Sequence, residues 1–469
     1  MNYRRVPVFE QAYTQHIPTA GNLTGHGLTI LLMSIGIPPE TCEKLLVALC
    51  IVGVALAFRY AVQGVRASHP AAPLLVMPFL YNWPLQMGFW SFSLGVPFVL
   101  VSVGICLRYR GRWNAIRFGQ LFLVVAAVYL CHPISWAVCG FVIALMTIGA
   151  EWPRWLQASE RRRAAIQTLL PLAVFVPFAI PNLLFARQNE LVQWDRIVSI
   201  RTLLWPLYTD TPLHMFQADG RPARVLFLFL FLASLANIGW KTHARKIEYP
   251  DILLLTAMAL LAMGIVSPAR IGEGTFLGVR LLLFGYLVWA LWLGLTLTPR
   301  AIPAIASITV ALAFWMIIAR LPSWQEANYE LAEVVRLGSV ISPDSFVCQM
   351  DFEKETELVL PMEHAVDLLA AKKIVDLRDY EAGRKAFWTQ FRPGYFLDEN
   401  YLTPATQRDF GKALEGFENQ TGKNVGYIVV TNLKAPADQT IHTILPKLAN
   451  RYALVGAHEP IVAIYRLMR

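Results

Sequence analysis

The chain has 469 residues, of which 56% are hydrophobic and only 16% charged. That balance excludes an ordinary soluble domain of this size, and apolar runs long enough to cross a bilayer recur along the sequence. The formal net charge of +9 does not point to nucleic acid, because Arg and Lys gather in short loops between apolar runs and no RNA or DNA motif occurs.

Residues 1–22 are polar and lack the charged-then-apolar pattern of a secretory leader. Leu23 to Gly36 is apolar but short for a hydrocarbon core of about 30 Å, and is predicted as an interfacial or re-entrant helix. Ten spans follow at 43–64, 72–87, 89–107, 117–131, 133–150, 165–186, 223–240, 250–267, 277–298 and 301–320. Residues 324–469 read as ordinary soluble sequence. Helices are expected at Glu326–Leu337, Glu363–Lys372, Ala405–Glu418 and Ile441–Arg451, and strands at Ser345–Met350, Gly426–Thr431 and Ile461–Leu467. Strands alternating with helices predict a small α/β domain. The expected architecture is a polytopic α-helical membrane protein with about ten spans and one interfacial helix. Its divisions are an outer polar segment at 1–42, a helical membrane domain at 43–321 and an extracytoplasmic α/β domain at 322–469.

Three basic loops set the orientation: Arg108 to Arg117, Arg154 to Arg163 and Lys241 to Lys246. Placing all three in the cytoplasm leaves an even number of spans between them, as it must. The Tyr81–Gly88 turn, the Cys131-His132-Pro133 turn, the 187–222 loop, the 268–276 loop and both termini then face outside. An outside N-terminus without a leader predicts either that Leu23–Gly36 spans after all or, since fourteen residues fall short of the hydrocarbon thickness, that a further span lies upstream of Met1.

Tyr81 to Gly95, YNWPLQMGFWSFSLG, breaks two apolar runs with Pro84, Gly88 and Gly95 and brings Asn82, Gln86 and Trp90 to membrane depth. Irregular backbone at that depth survives only inside protein or beside a wet cavity. Two readings stay open: the lining of a cavity at one membrane surface, or a turn with an aromatic belt. Asn22, His26 and Asp195 are placed with the same cavity.

Arg280 stands about one turn inside an apolar run, where arginine is costly, with Arg270 and Glu273 just before it. An arginine there suits a lipid-linked phosphate, which it grips bidentately; the plainer alternative is a structural pair with Glu273 or Asp195. His132, at a hairpin tip, suits phosphate binding or acid–base work, or else is satisfied by backbone. The acids of the 187–222 loop, Asp219 among them, could bind sugar hydroxyls or supply a carboxylate base, but the plainer reading is a solvated loop, and Asp351, Glu353, Glu355 and Glu357 read as a solvated edge. No zinc spacing, Ser-His-Asp order or nucleophile elbow occurs.

One arrangement of motifs resembles a known family. HIPTAGNLTGHGLTILL precedes a short helix and GIPPETCEKLLVAL opens a span. YNWPLQMGFWSFSLG, the CHPISW hairpin, the GVRLLLFGY span and an outer α/β tail follow. Together these resemble bacterial membrane proteins of the GT-C glycosyltransferase superfamily, the dolichyl-phosphate-mannose mannosyltransferase-like group. The resemblance implies a multi-pass protein of the bacterial inner membrane that moves a sugar from a polyprenyl-phosphate donor to an extracytoplasmic acceptor in envelope glycan synthesis. Its partners would be the lipid-linked donor and the membrane, with no nucleic acid. It also implies an acid in the first outer loop, acting as base or holding a divalent cation. No Asp occurs before Asp195, so Glu10 is the local candidate, or the acid lies upstream of Met1. The implied phosphate ligands are Arg270, Arg280 and His132. The alternatives are a polytopic transporter or lipid flippase, and a non-catalytic subunit of an envelope-assembly system.

Overall fold

A computed structural model describes residues 6–15, 21–65, 69–188, 192–193, 207, 212–246, 248–268, 270–271, 274–352, 362–379, 382–383, 389–397 and 410–468. The chain forms two compact units, Thr19–Arg320 and, together, Met1–Pro18 with Leu321–Arg469. It is a polytopic α-helical membrane protein with a C-terminal sheet-containing domain.

The first unit holds helices α1 (Thr24–Ser34), α2 (Pro39–Val62), α3 (Trp90–Arg108), α4 (Ala115–Cys131), α5 (Pro133–Trp155), α6 (Arg161–Ala173), α7 (Val176–Gln188), α8 (Gly220–His243), α9 (Ile252–Val266), α10 (Leu277–Thr296) and the start of α11 (Ile302–Leu337). Seven of the described helices, or eight if the bent pair α6–α7 counts as one span, are long and apolar enough to cross a membrane. The 11-residue α1 reaches only about 16 Å at 1.5 Å per residue, too short to span. α3 and α10 are buried nearly all round, so they are apolar all round. The outer helices expose Leu49, Val52 and Leu56 on α2 and Leu228, Leu232 and Leu235 on α8, as lipid-facing surfaces do. Close helix approach takes the place of hydrophobic drive inside the bundle. At the α9–α10 crossing, a Cβ on Gly278 would stand 2.7 Å from the Gly264 carbonyl oxygen.

The predicted span at 72–87 is not an α-helix. Ala72–Phe79 is a 3-10 helix, followed by one α turn at Trp83–Gln86. Pro73, Pro78 and Pro84 lack the N–H groups a regular helix would use. The segment still runs the length of α10. Ala72 lies against Gly294, Phe79 stacks on Tyr286 at 6.1 Å, and Trp83 meets Phe276 edge-on at 4.8 Å. The 3-10 rise of about 2.0 Å per residue covers the distance with fewer residues. This irregular backbone is tolerated because α2, α3 and α10 enclose it.

A second expectation also fails. The last span was predicted to end before Pro322, yet α11 continues through that proline to Leu337 and carries the chain into the second unit. Its single lost hydrogen bond does not outweigh the helical sequence on both sides.

The second unit is built on a five-stranded sheet. Its strands are β1 (Phe346–Asp351), β2 (Val375–Asp376), β3 (Tyr427–Thr431), β4 (Tyr452–His458) and β5 (Val462–Leu467), in the order β2-β1-β3-β5-β4. β1 is parallel to β2 and β3; β5 is antiparallel to β3 and β4. Alternate residues feed two cores. Cys348, Met350, Ile428 and Val430 pack with α12 (Phe410–Thr421) and with Val8, Phe9 and Ala12 of the N-terminal helix Pro7–Ala12. Val347, Val429 and Ile464 pack with the 3-10 helix Ala365–Lys372. The expected helix at Ile441–Arg451 is instead a short π turn over Thr440–Ile444 followed by turns.

Candidate functional site

One end of the helical bundle brings together residues that are far apart in the chain. His132 ends α4 and caps α5: its backbone N–H donates to the Val128 carbonyl, and its Nδ1 accepts from the Ile134 N–H at 3.1 Å. That second bond fixes the ring. Arg280, in the first turn of α10 and only 6% exposed, places Nη1 3.2 Å from the other ring nitrogen, Nε2, in a hydrogen bond whose donor depends on the imidazole tautomer. The N-terminus of the 23-residue α5 adds its partial positive charge at the same place.

Aromatic rings wall the guanidinium. Arg280 Cζ lies 4.4 Å from the Phe89 ring centroid and 5.3 Å from that of Phe92. Phe92 also meets the His132 ring edge-on at 5.5 Å. Phe89 belongs to a cluster with Trp83 and Phe276. Phe276 caps α10 in the left-handed region at φ 57°, an uncommon backbone for a non-glycine residue and one held here by those ring contacts. Rings on a guanidinium keep its charge while excluding water from one side.

The segment from Gly21 to Leu23 straps the hairpin. Asn22 and Leu23 donate their N–H groups to the Cys131 and Leu130 carbonyls at the end of α4, at 2.9 and 3.0 Å. These are carbonyls that the helix itself leaves unpaired. Gly21 and Asn22 both take positive φ, and a Cβ on Gly21 would sit 2.7 Å from Pro133 Cδ. In the next turn, the Gly25 N–H donates to Ser91 Oγ at 3.0 Å, which ties α1 to α3.

The other residues named from the sequence are placed as follows. The Asn82 amide is committed at both ends, accepting from the Leu85 N–H and donating to the Phe79 carbonyl, so it is a helix cap. Gln86 Oε1 accepts from the Tyr81 hydroxyl at 2.5 Å. Trp90 opens α3 beside Gly88, and His26 is half-buried on α1, where burial lowers its imidazole below the ordinary value. Arg270 lies in a short strand opposite Gln193 and Thr275. Asp195 lies outside the described residues. Glu10 is exposed on the helix Pro7–Ala12, in the sheet-containing unit. Among the described residues, no group of three His, Cys, Asp or Glu side chains could hold a metal ion.

Sequence reasoning missed one constellation. Asp219 is fully buried rather than solvated, and Arg320 donates to it at 2.6 Å while also donating to the carbonyls of Tyr81 and Leu213. Asp219 accepts in addition from the Met215 and Phe216 N–H groups. The pair thus holds the start of the Tyr81–Gly95 break, whose Trp83 N–H donates to the Pro212 carbonyl. An arginine at the end of an apolar run and an aspartate just before another were the available signals.

Fold and site together define a polytopic membrane protein with a cationic, aromatic-walled niche at one end of its bundle. Among solved structures, the chain is similar to the crystal structure of the Archaeoglobus fulgidus oligosaccharyltransferase tethered to an acceptor peptide containing the NVT sequon. The identity is 11% and the TM-score 0.44, over 97% of this chain and 68% of that one. No family model and no curated protein matches the sequence.

Proposed function

We propose that this chain is a membrane glycosyltransferase that moves a sugar from a polyprenyl-phosphate donor to an acceptor hydroxyl on the extracytoplasmic side of a bacterial inner membrane. The observation that carries the reading is the pairing of His132 Nε2 with the Arg280 guanidinium at the N-terminus of α5, a cationic place that suits a phosphate oxygen. The arginine-rich turns after α3 and α5 lie at the far ends of α4 and α5 from His132, which agrees with a niche on the outer side.

In this reading the acceptor oxygen attacks the anomeric carbon as the bond from that carbon to the phosphate oxygen breaks. The leaving polyprenyl phosphate keeps the electron pair, and Arg280 and His132 stabilise its charge where it develops. Arg270 is a further phosphate ligand. A carboxylate takes the acceptor's proton.

The test is transfer of labelled sugar from a polyprenyl-phosphate donor by the full chain in membranes. Arg280→Ala is expected to abolish transfer while the protein remains folded. Transfer at the wild-type rate by that variant would overturn the assignment. Movement of intact donor across vesicles without transfer would favour a lipid transporter.

A further inference from the structure

The end of the helical bundle away from His132 carries a second cationic surface, independent of the transfer reading. His132 joins α4 to α5, so the first turn of α4 and the last turn of α5 lie at the far end, and α6 begins there too. The 23 residues of α5 reach about 34 Å at 1.5 Å each, against a hydrocarbon core of about 30 Å, which sets this end at headgroup depth. Hydrogen bonds gather three stretches of chain into one patch. The Trp113 N–H donates to Gln167 Oε1 at 2.9 Å, tying the loop after α3 to α6. Arg161 Nε donates to the Trp155 carbonyl at 3.3 Å, tying α6 to α5. Arg110 donates to the Ala150 carbonyl at 3.4 Å, and a Cβ on Gly111 would stand 3.0 Å from Arg154 Nη1, so the loop also lies on the end of α5.

Residues 108–117 and 151–163 hold eight arginines and no lysine, against two acids, Glu151 and Glu160. Glu151 is taken by Arg154 at 2.7 Å. Arg112, Arg162 and Arg163 are exposed and make no ion pair among the described residues. Three of the guanidiniums rest on tyrosine rings. Arg108 Cζ lies 3.5 Å from the Tyr60 ring centroid, Arg110 Cζ 4.0 Å from that of Tyr249, and Arg117 Cζ 4.7 Å from that of Tyr109. Each also donates to one backbone carbonyl, those of Tyr60, Ala150 and Arg112 in turn. A guanidinium has five N–H donors in one plane, so ring and carbonyl fix the plane and still leave donors along its edge.

Membrane orientation accounts for positive charge at this end, but lysine would serve it as well. Stacked arginine adds a rigid planar fork, which matches a phosphate bidentately and loses little freedom on binding it. The neighbouring side chains supply the rest of the ligand's description. Ile116, Trp152 and Leu156, at the same end, are 74%, 58% and 69% exposed. A ligand that covers both these side chains and the arginines is anionic at one end and apolar at the other, and at headgroup depth that is a phospholipid. A zwitterionic headgroup would bring its ammonium into the same crowd of arginines, so the match is to a headgroup with net negative charge. We propose that this end of the bundle is a binding surface for an anionic phospholipid, with its phosphate held by Arg110, Arg112 and Arg117 and its acyl chains against Ile116, Trp152 and Leu156.

The experiment is thermal unfolding of the purified full-length chain in detergent micelles titrated with dioleoyl phosphatidylglycerol. Dioleoyl phosphatidylcholine, inorganic phosphate and poly-glutamate are the comparators. Phosphatidylglycerol is expected to raise the melting temperature saturably, and to do so in Arg280→Gln as well, which locates the effect away from the His132 niche. Arg112→Lys with Arg117→Lys keeps the charge and the membrane orientation but removes two forks. That variant should need tenfold or more lipid for half the shift, with its melting temperature in lipid-free micelles unchanged. Arg112→Lys alone changes an exposed side chain; it serves if the double variant does not fold, and should need threefold or more lipid. The proposal is overturned if phosphatidylglycerol gives no saturable shift, if phosphatidylcholine stabilises equally, if the lysine variants respond as the wild type does, or if phosphate or poly-glutamate produces the same shift.

Discussion

The Asp376 carboxyl gives the sheet-containing unit a measurable pH signature. Burial is the largest cause, with Asp379 adding repulsion, and both outweigh the Arg378 backbone bond and its guanidinium; together they push the group from its ordinary 3.8 up to about 7. Tyr13 is a third neighbour, its own hydroxyl raised by burial and then by Asp379 and Asp376. Because the folded value lies above the unfolded one, folding favours the protonated form. The penalty is absent below the unfolded value and grows as pH rises from about 4 to about 7. A shift of about three units at about 1.36 kcal/mol each bounds the loss at about 4 kcal/mol above pH 7, against about 1.5 kcal/mol at pH 5. Asp376→Asn removes the titrating charge while its amide oxygen still accepts from the Arg378 N–H. Cys348 is buried in β1 and is the sole cysteine of this unit, so its labelling by a thiol reagent reports opening of the sheet. Comparing variant with wild type at each pH cancels the thiol's own titration. The variant should be protected more strongly at pH 8 than at pH 5, with the two protection ratios differing by about a hundredfold. Equal ratios at both pH values would refute the reasoning.

Other outcomes follow from the helical unit. Arg320→Met leaves the buried Asp219 carboxylate without its cation and should destabilise the bundle by roughly 3–5 kcal/mol. Adding Asp219→Asn should recover much of that loss, and strictly additive melting shifts in the double variant would contradict the pairing. Gly21→Ala drives a Cβ into Pro133 and the Tyr129 carbonyl at positive φ. It should lower the melting temperature by several degrees and open the strap to proteolysis near Asn22, whereas wild-type proteolytic resistance would show that the close approach relaxes freely.

Much of this architecture was legible because membrane burial demands long apolar runs, and those runs locate helices without reference to tertiary contacts. Residues 72–87 mark the limit. Their apolarity showed that the segment crosses the bundle, but the choice of a 3-10 path depends on enclosure by α2, α3 and α10, which no local pattern records. Arg280 stood out because an arginine in an apolar run is costly, and His132 because a hairpin tip isolates it. That the two face each other across 148 residues is a property of the packing of α5 against α10. Asp219 looks solvated in the sequence because acids usually are; it is buried by the partnership with Arg320.

The central claim is that Arg280 and His132 hold a lipid-linked phosphate. Its most direct test is the binding of a short-chain polyprenyl phosphate, against the matching uncharged polyprenol, to the purified chain and to Arg280→Gln. A hydrogen bond to a charged group contributes about 1.5–3 kcal/mol, so the wild type should prefer the phosphate by tenfold to a hundredfold, and the variant should lose that preference. Equal affinity for the two lipids, or a preference that survives in the variant, would contradict it.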